Sequence, residues 1–181
     1  MNDRAELIYD SLLVVRSQTG DEAAFAELVE RYSPRLSYFL RKLLARVGGA
    51  DDALQDVWLD VFRHLPRLKD PQALRAWLYR IARDRAFRRL RKARRVEQPL
   101  DETSVVDESA AEESQFLPED AARIHACLDD LPPEQREVLV LKFLEEMSYE
   151  DIARVVGCPL GTVRSRIYYG KQALRRALTE E

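Results

Sequence analysis

Ser148-Tyr-Glu-Asp-Ile-Ala-Arg-Val-Val-Gly157-Cys-Pro-Leu-Gly-Thr-Val-Arg-Ser-Arg-Ile-Tyr-Tyr-Gly-Lys-Gln-Ala-Leu174 is the most informative stretch of the 181-residue chain. Ser148 with Asp151 three residues on is a capping-box-like helix start. Ile152, Val155 and Val156 then give a short apolar stripe, and Gly157 can end that helix. Pro159 opens a longer basic helix that runs to about Leu178. A short helix, a glycine turn and a longer basic helix make a helix-turn-helix. At about 100° per residue, Val163, Ile167, Gly170 and Leu174 share one face, which predicts a core contact. The opposite pole carries Ser165, Tyr168, Tyr169 and Gln172, flanked by Arg164, Arg166, Lys171 and Arg175. Hydroxyl and amide groups at that pole can read base edges while the outer cations hold phosphates.

Working outward, the rest of the chain also reads as helix. Pro118 and Pro132-Pro133-Glu134 each suit a first helical turn, the second leading through Val138, Leu141, Lys142 and Leu144. Residues 7 to 95 carry a second helical set. Asp21 can cap a helix with Phe25, Leu28, Val29 and Tyr32 at helical spacing, which Pro34 interrupts or kinks before the pattern resumes from Leu36 to Val47. Gly48-Gly49 stops it, Asp51 or Asp52 caps a helix with Leu54, Val57, Val61 and Leu65 on one stripe, and Pro66 to Pro71 is a short loop. A third long helix is expected from about Gln72 to Arg95. Residues 96–117, with Pro99 and no apolar stripe, read as a flexible acidic linker of roughly 25 Å r.m.s. span. The expectation is an all-α protein of two small helical domains, 1–95 and 118–181, joined by 96–117.

Composition excludes several classes. Charged residues make 34% of the chain, no apolar run approaches the ~18 residues of a membrane span, and the early run Leu12 to Val15 is too short for a signal peptide. The expected location is the cytoplasm, with no membrane insertion. Cys127 and Cys158 have no pair spacing, read as small buried residues, and cannot build a zinc site with two histidines. No cofactor or metal is expected.

A net charge of −3 hides a strong local asymmetry. Gln72 to Arg95 holds ten Lys or Arg against Asp84 alone, whereas Val96 to Asp120 holds nine acids and no Lys or Arg. On the helical wheel Arg80, Arg83, Phe87, Arg91 and Arg94 lie within about 60° of one another, with Trp77 beside them. Cations interleaved with rings suit a stripped nucleic-acid strand, the arginines tracking phosphates and the rings stacking on bases. In the free chain the acidic segment has the charge to lie on this helix and mask it. A second constellation is Asp52, Asp56 and Asp60 on one helical face. Nothing nearby completes a metal site, so the face reads as a partner surface, with Gln55, Trp58 and Leu59, for a basic helix.

These motifs resemble a known family. Gly20-Asp-Glu-Ala-Ala-Phe25, Asp51-Asp-Ala-Leu-Gln-Asp-Val-Trp58 and Arg75-Ala-Trp-Leu-Tyr-Arg-Ile-Ala-Arg83 resemble region 2 of extracytoplasmic-function sigma factors. Leu131-Pro-Pro-Glu-Gln-Arg-Glu-Val-Leu139, Ser148-Tyr-Glu-Asp-Ile-Ala153 and Gly161-Thr-Val-Arg-Ser-Arg166 resemble region 4. The resemblance covers about 20–178 and implies a non-enzymatic specificity subunit of bacterial RNA polymerase. It implies that Asp52, Gln55, Asp56 and Leu59 dock on the clamp helices of the largest polymerase subunit. Arg67, Lys69, Trp77, Arg80, Arg83, Phe87 and Arg91 would recognise and open the −10 element. Arg164, Ser165, Arg166, Tyr168, Tyr169, Lys171, Gln172 and Arg175 would read the −35 element in duplex DNA, and the linker would thread the RNA-exit path. Promoter DNA, duplex and melted, and an anti-sigma factor are the further partners it implies. Asp84 stands where the family often has Asn, and an acid there repels phosphate. The competing reading is a dimeric helix-turn-helix regulator acting without polymerase, which leaves the basic helix at 72–95 without a purpose.

Overall fold

The computed structural model describes residues 3–97 and 121–179. Among them there is no strand, in agreement with the all-α expectation. The N-terminal module has four helices, α1 (Asp3–Gln18), α2 (Glu22–Leu43), α3 (Ala50–His64) and α4 (Leu74–Glu97). Two single 3-10 turns, Leu65–Arg67 and Pro71–Ala73, join α3 to α4. The C-terminal module has α5 (Ala121–Leu128), α6 (Pro133–Leu139) running into a π turn at Val140–Leu144, α7 (Tyr149–Val156) and α8 (Leu160–Thr179). The acidic linker expected over 96–117 lies outside the described residues apart from its first two, which finish α4.

Local chemistry accounts for most of the boundaries. Asp21 caps α2 by accepting from the Ala24 N–H at 3.1 Å. Pro34 does not interrupt α2, which is continuous through it. The buried face of Leu28, Tyr32, Leu36, Phe39, Leu40 and Leu43 holds both halves on one core, and this packing outweighs the hydrogen bond that proline removes. The cap of α3 falls earlier than expected, at Gly49 with φ 76°, so Asp51 and Asp52 lie in the first turn and meet the positive end of the helix dipole. Periodicity does not mark out α1, because Leu13 and Val14 are buried while Ile8, Leu12 and Val15 are exposed on its other side.

In the helix-turn-helix, Ser148 Oγ accepts from the Asp151 N–H at 3.0 Å and donates to the Asp151 carboxylate at 2.7 Å. Gly157 ends α7 at φ 69°, a left-handed conformation that favours glycine. Val163, Ile167, Gly170 and Leu174 all face inward. A Cβ on Gly170 would stand 2.8 Å from Leu139 Cδ1, so α8 lies against α6 at a separation that only glycine leaves unstrained.

The modules pack on each other, α4 against α7 and α2 against α6, and their buried apolar residues form one core. At the centre of the N-terminal module the Phe39 and Tyr79 rings meet edge to face at 5.2 Å. Ser148→Ala removes the α7 cap while leaving the core untouched. It is expected to lower stability by about 1 kcal/mol, read as a fall in the thermal midpoint by circular dichroism, with Ser148→Asp restoring most of it.

Candidate nucleic-acid interface

Helix α4 presents its cations in three directions. Toward α3, Arg85 Nε donates to Asp60 at 2.7 Å and Arg89 reaches Asp56 at 3.4 Å and Asp52 at 3.9 Å. Toward the C-terminal module, Arg75 meets Glu145 at 3.5 Å and Arg83 meets Glu137 at 2.7 Å. Arg80, Arg88, Arg91, Lys92, Arg94 and Arg95 face solvent. Among the described residues the counter-charge for so basic a helix comes from α3 and from the C-terminal module. The acidic segment expected to mask this helix lies, from residue 98 on, outside the described residues.

The loop before α4 shapes an open cavity of about 370 Å³. Arg67, Lys69 and His64 line it, with Trp77 and Ile81 of α4 and Asp60 of α3. Arg67 and Lys69 are exposed and Trp77 is half-buried, so the indole both packs on the core and borders the cavity. The loop is tethered from below, since the Gln18 side chain donates to the carbonyls of Leu65 at 2.9 Å and Leu68 at 2.8 Å. Gln18 is a positioning residue that sequence reading missed. A single amide at the end of an unpatterned helix leaves no signal in the sequence.

The outward face of α3 is a separate surface. Asp52, Gln55 and Leu59 are exposed and Asp56 is half-buried, beside the exposed Phe62 ring, which meets Phe25 edge to face at 5.4 Å. Asp60 faces away from this surface into its pair with Arg85. Among the described residues no cluster of His, Cys, Asp or Glu could hold a metal ion.

On α8, Arg164 is exposed with its guanidinium 5.9 Å from the Tyr149 ring, and Arg175 is exposed as well. Tyr168 and Tyr169 meet edge to face at 5.3 Å, and Gln172 donates to the Tyr168 hydroxyl at 2.6 Å. Ser165 bonds back to the Gly161 and Thr162 carbonyls at 3.1 and 3.2 Å. Lys171 is only 8% exposed, its ammonium 5.7 Å from the Phe143 ring. Arg166 turns inward to Glu137 of α6 in its own module, 3.5 Å away.

That carboxylate sits at the seam of the two modules. Glu137 is fully buried and takes Arg83 Nε at 2.7 Å, Arg83 Nη2 at 3.3 Å and Arg166 Nη1 at 3.5 Å. Arg83 also lies 4.4 Å over the Phe87 ring. Glu145 bridges Arg35 and Arg75, each at 3.5 Å. At the far end of the seam Tyr38 and the His125 ring share a hydrogen bond at 2.5 Å. Lys42 there donates to the His125 carbonyl at 2.7 Å and to Asp129 at 2.9 Å. Arg136 is buried beneath them. It donates to the carbonyls of Lys42, Asp129 and Leu131, so its guanidinium closes the C-terminal end of α2. Burial pushes its pKa down. The sequence singled out neither Glu137 nor Arg136, since charges in a polar stretch such as Glu134-Gln-Arg-Glu137 show their partners only after folding.

The sigma-70 region 2 family matches residues 28–96, and the sigma-70 region 4 family matches 121–174. The RNA polymerase sigma-H factor of Pseudomonas aeruginosa is 33% identical over 93% of both chains. The sigma factor SigW of Bacillus subtilis, an extracytoplasmic-function member, is 31% identical over 89% of this chain and 92% of its own. Two solved structures share the fold. CnrH in complex with the cytosolic domain of CnrY has a TM-score of 0.70 at 25% identity, covering 96% of this chain and 99% of that one. The sigma factor RpoE of Bartonella quintana with the anti-sigma factor NepR has a TM-score of 0.68 at 27% identity, covering 85% and 96%. The chain belongs to the extracytoplasmic-function sigma factors of the sigma-70 family. It is an RNA polymerase sigma factor, and this family is not a class of enzymes. The dimeric-regulator alternative is not favoured, and no described helix is long and apolar enough to cross a membrane.

Burial raises the Glu137 pKa to about 7, against the opposing pull of Arg83 and Arg166. An acid whose folded pKa lies above its unfolded value contributes stability below the unfolded pKa and loses it as pH rises through the folded one. The Glu137 contribution is expected to fall from about pH 4.5 to about pH 7. Urea unfolding of wild type and Glu137→Gln across that window checks this, and the difference between them should change with pH in that direction.

Proposed function

We propose that three surfaces divide the work of promoter selection. The α3 face of Asp52, Gln55, Asp56 and Leu59 docks on the clamp helices of the polymerase. Exposed leucine and phenylalanine rimmed by carboxylates suit a basic, partly apolar helix, and the apolar centre supplies the affinity while the rim fixes register. The cavity behind Arg67, Lys69 and Trp77, with Arg80, Arg91 and the seam residues Arg83 and Phe87, captures the −10 strand once it is unpaired. Helix α8 lies in the major groove at −35, with Tyr168, Tyr169 and Gln172 toward base edges and Arg164, Arg166 and Arg175 toward phosphates. Lys171 braces the helix from beneath, and Ser165 is committed to its own backbone. The domain limits proposed are 1–95 and 118–181. The protein works in the cytoplasm beside the polymerase, and the solved relatives held by CnrY and NepR support an anti-sigma partner for it too.

The observation that carries this reading is an open cavity bordered by a half-buried indole and two exposed cations. An unpaired base can stack on the ring there while its phosphates meet the cations. Trp77→Ala is expected to lower promoter melting about tenfold, since stacking on one ring is worth ~1–3 kcal/mol per base. Permanganate reactivity at −10 reads this, with capture of closed duplex unchanged. Asp52→Arg/Asp56→Arg should lose co-purification with core polymerase and run-off transcription while keeping its helical circular dichroism. A double variant as active as wild type would move the docking face elsewhere.

A further inference from the structure

A cavity of about 290 Å³ lies where α1, α2 and α4 meet the turn before α7, apart from the surfaces assigned above. Its charged lining is Glu6 and Asp10 of α1, Arg35 of α2, Arg75 of α4, Glu146 of the turn and Asp151 of α7. Two of these acids are engaged. Asp10 accepts from Arg31 at 3.1 Å and from the Tyr32 hydroxyl at 2.5 Å. Asp151 accepts from Ser148 at 2.7 Å and pairs with Arg154 at 3.3 Å. Glu6 and Glu146 have no ion pair among the described residues. The two guanidinium groups are under-used as well. Arg35 and Arg75 share one oxygen of buried Glu145, each at 3.5 Å, longer than an ordinary hydrogen bond. The buried Nε of Arg75 has no hydrogen-bond partner. Each guanidinium thus has more N–H donors than these contacts use. Glu146 itself holds φ 52°, a left-handed backbone in a residue with a Cβ, and strain of that kind collects where ligands are clamped.

We propose that this cavity binds a small basic amino acid, its carboxylate on Arg35 and Arg75 and its two cationic groups on Glu6 and Glu146. Spare arginine donors select a carboxylate, whose two oxygens match the planar fork. Once Asp10 and Asp151 are set aside with their partners, Arg35 and Arg75 stand against Glu6, Glu146 and Glu145, which leaves one negative charge in excess. Lysine and arginine carry one net positive charge at neutral pH and cancel it. A simple anion would meet the arginines but be repelled by Glu6 and Glu146. A diamine would meet the acids but be repelled by the arginines. The volume lies at the small end of ligand pockets, room for an amino acid rather than a nucleotide. Glu146 comes from one module and the other three contacts from its neighbour, so a bound ligand adds to the stability of the packed chain. The site is independent of the DNA-reading roles proposed above.

The test is calorimetric titration of the full chain at neutral pH and constant salt, with L-lysine and L-arginine as probes. Two analogues each lack one part of the recognition. Cadaverine is lysine without its carboxylate, and L-norleucine keeps the chain without its terminal ammonium. One of the basic amino acids is expected to bind one to one and to raise the thermal midpoint. The analogues should bind about tenfold more weakly or worse, the loss of one charge-assisted contact. Three variants locate the site on exposed or part-exposed side chains, so the core is untouched. Arg35→Gln should bring lysine down to the level of cadaverine. Glu6→Gln and Glu146→Gly, the second suited to its left-handed backbone, should each weaken binding about tenfold with helical circular dichroism unchanged. No saturable binding of either amino acid overturns the proposal. Cadaverine as tight as lysine overturns it too, since that is attraction to acids alone. Equal affinity in wild type and all three folded variants places the binding elsewhere and overturns this site.

Discussion

The ten cations between Gln72 and Arg95 repel one another, and the packing of both modules answers that repulsion. Helix α3 supplies carboxylates at four-residue spacing, matched to Arg85 and Arg89 at the same spacing on α4. The C-terminal module supplies Glu145 and Glu137 to Arg75 and Arg83. What remains exposed is the set that can meet a nucleic acid. The charge proposed to hold DNA is thus the charge that organises the protein.

Much of this was legible in the residues. The helix-turn-helix followed from one cap, one glycine and one apolar stripe, and each stands where its chemistry required. Ser148 and Gly157 bound α7, and Val163, Ile167, Gly170 and Leu174 face inward. Helix α4 was legible as a basic helix from charge alone. Its neighbours were not. The carboxylates of α3 read as a surface awaiting a partner's cations. In the fold α4 engages Asp60, Asp56 and, at 3.9 Å, Asp52, leaving Gln55, Leu59 and the exposed side of Asp52 as the outward edge. Periodicity reports which face a helix buries, but it does not report which helix buries it.

The elements that reasoning from the chain placed wrongly share a cause. Pro34 and the cap of α3 are positions where tertiary packing overrides a local rule: an apolar face long enough to span a proline, and a glycine whose left-handed turn starts the helix before any side chain can. Gln18, Glu137 and Arg136 are single polar residues that each reach a partner far off in sequence, 47, 54 and 94 residues away. Burial gives them their importance: an unpaired donor or charge at those positions would cost far more than the bond itself contributes. They fix the loop beside the Trp77 cavity, the end of α2 and the seam, the three places where one wrong angle would misplace α4 and α8.

The distance between the modules tests this account most directly. Spin labels at exposed Arg41 on α2 and exposed Glu150 on α7, in a chain whose two cysteines are replaced, would report it by pulsed electron resonance. Free protein is predicted to give one narrow, short distance. A long distance or a broad distribution would contradict the account.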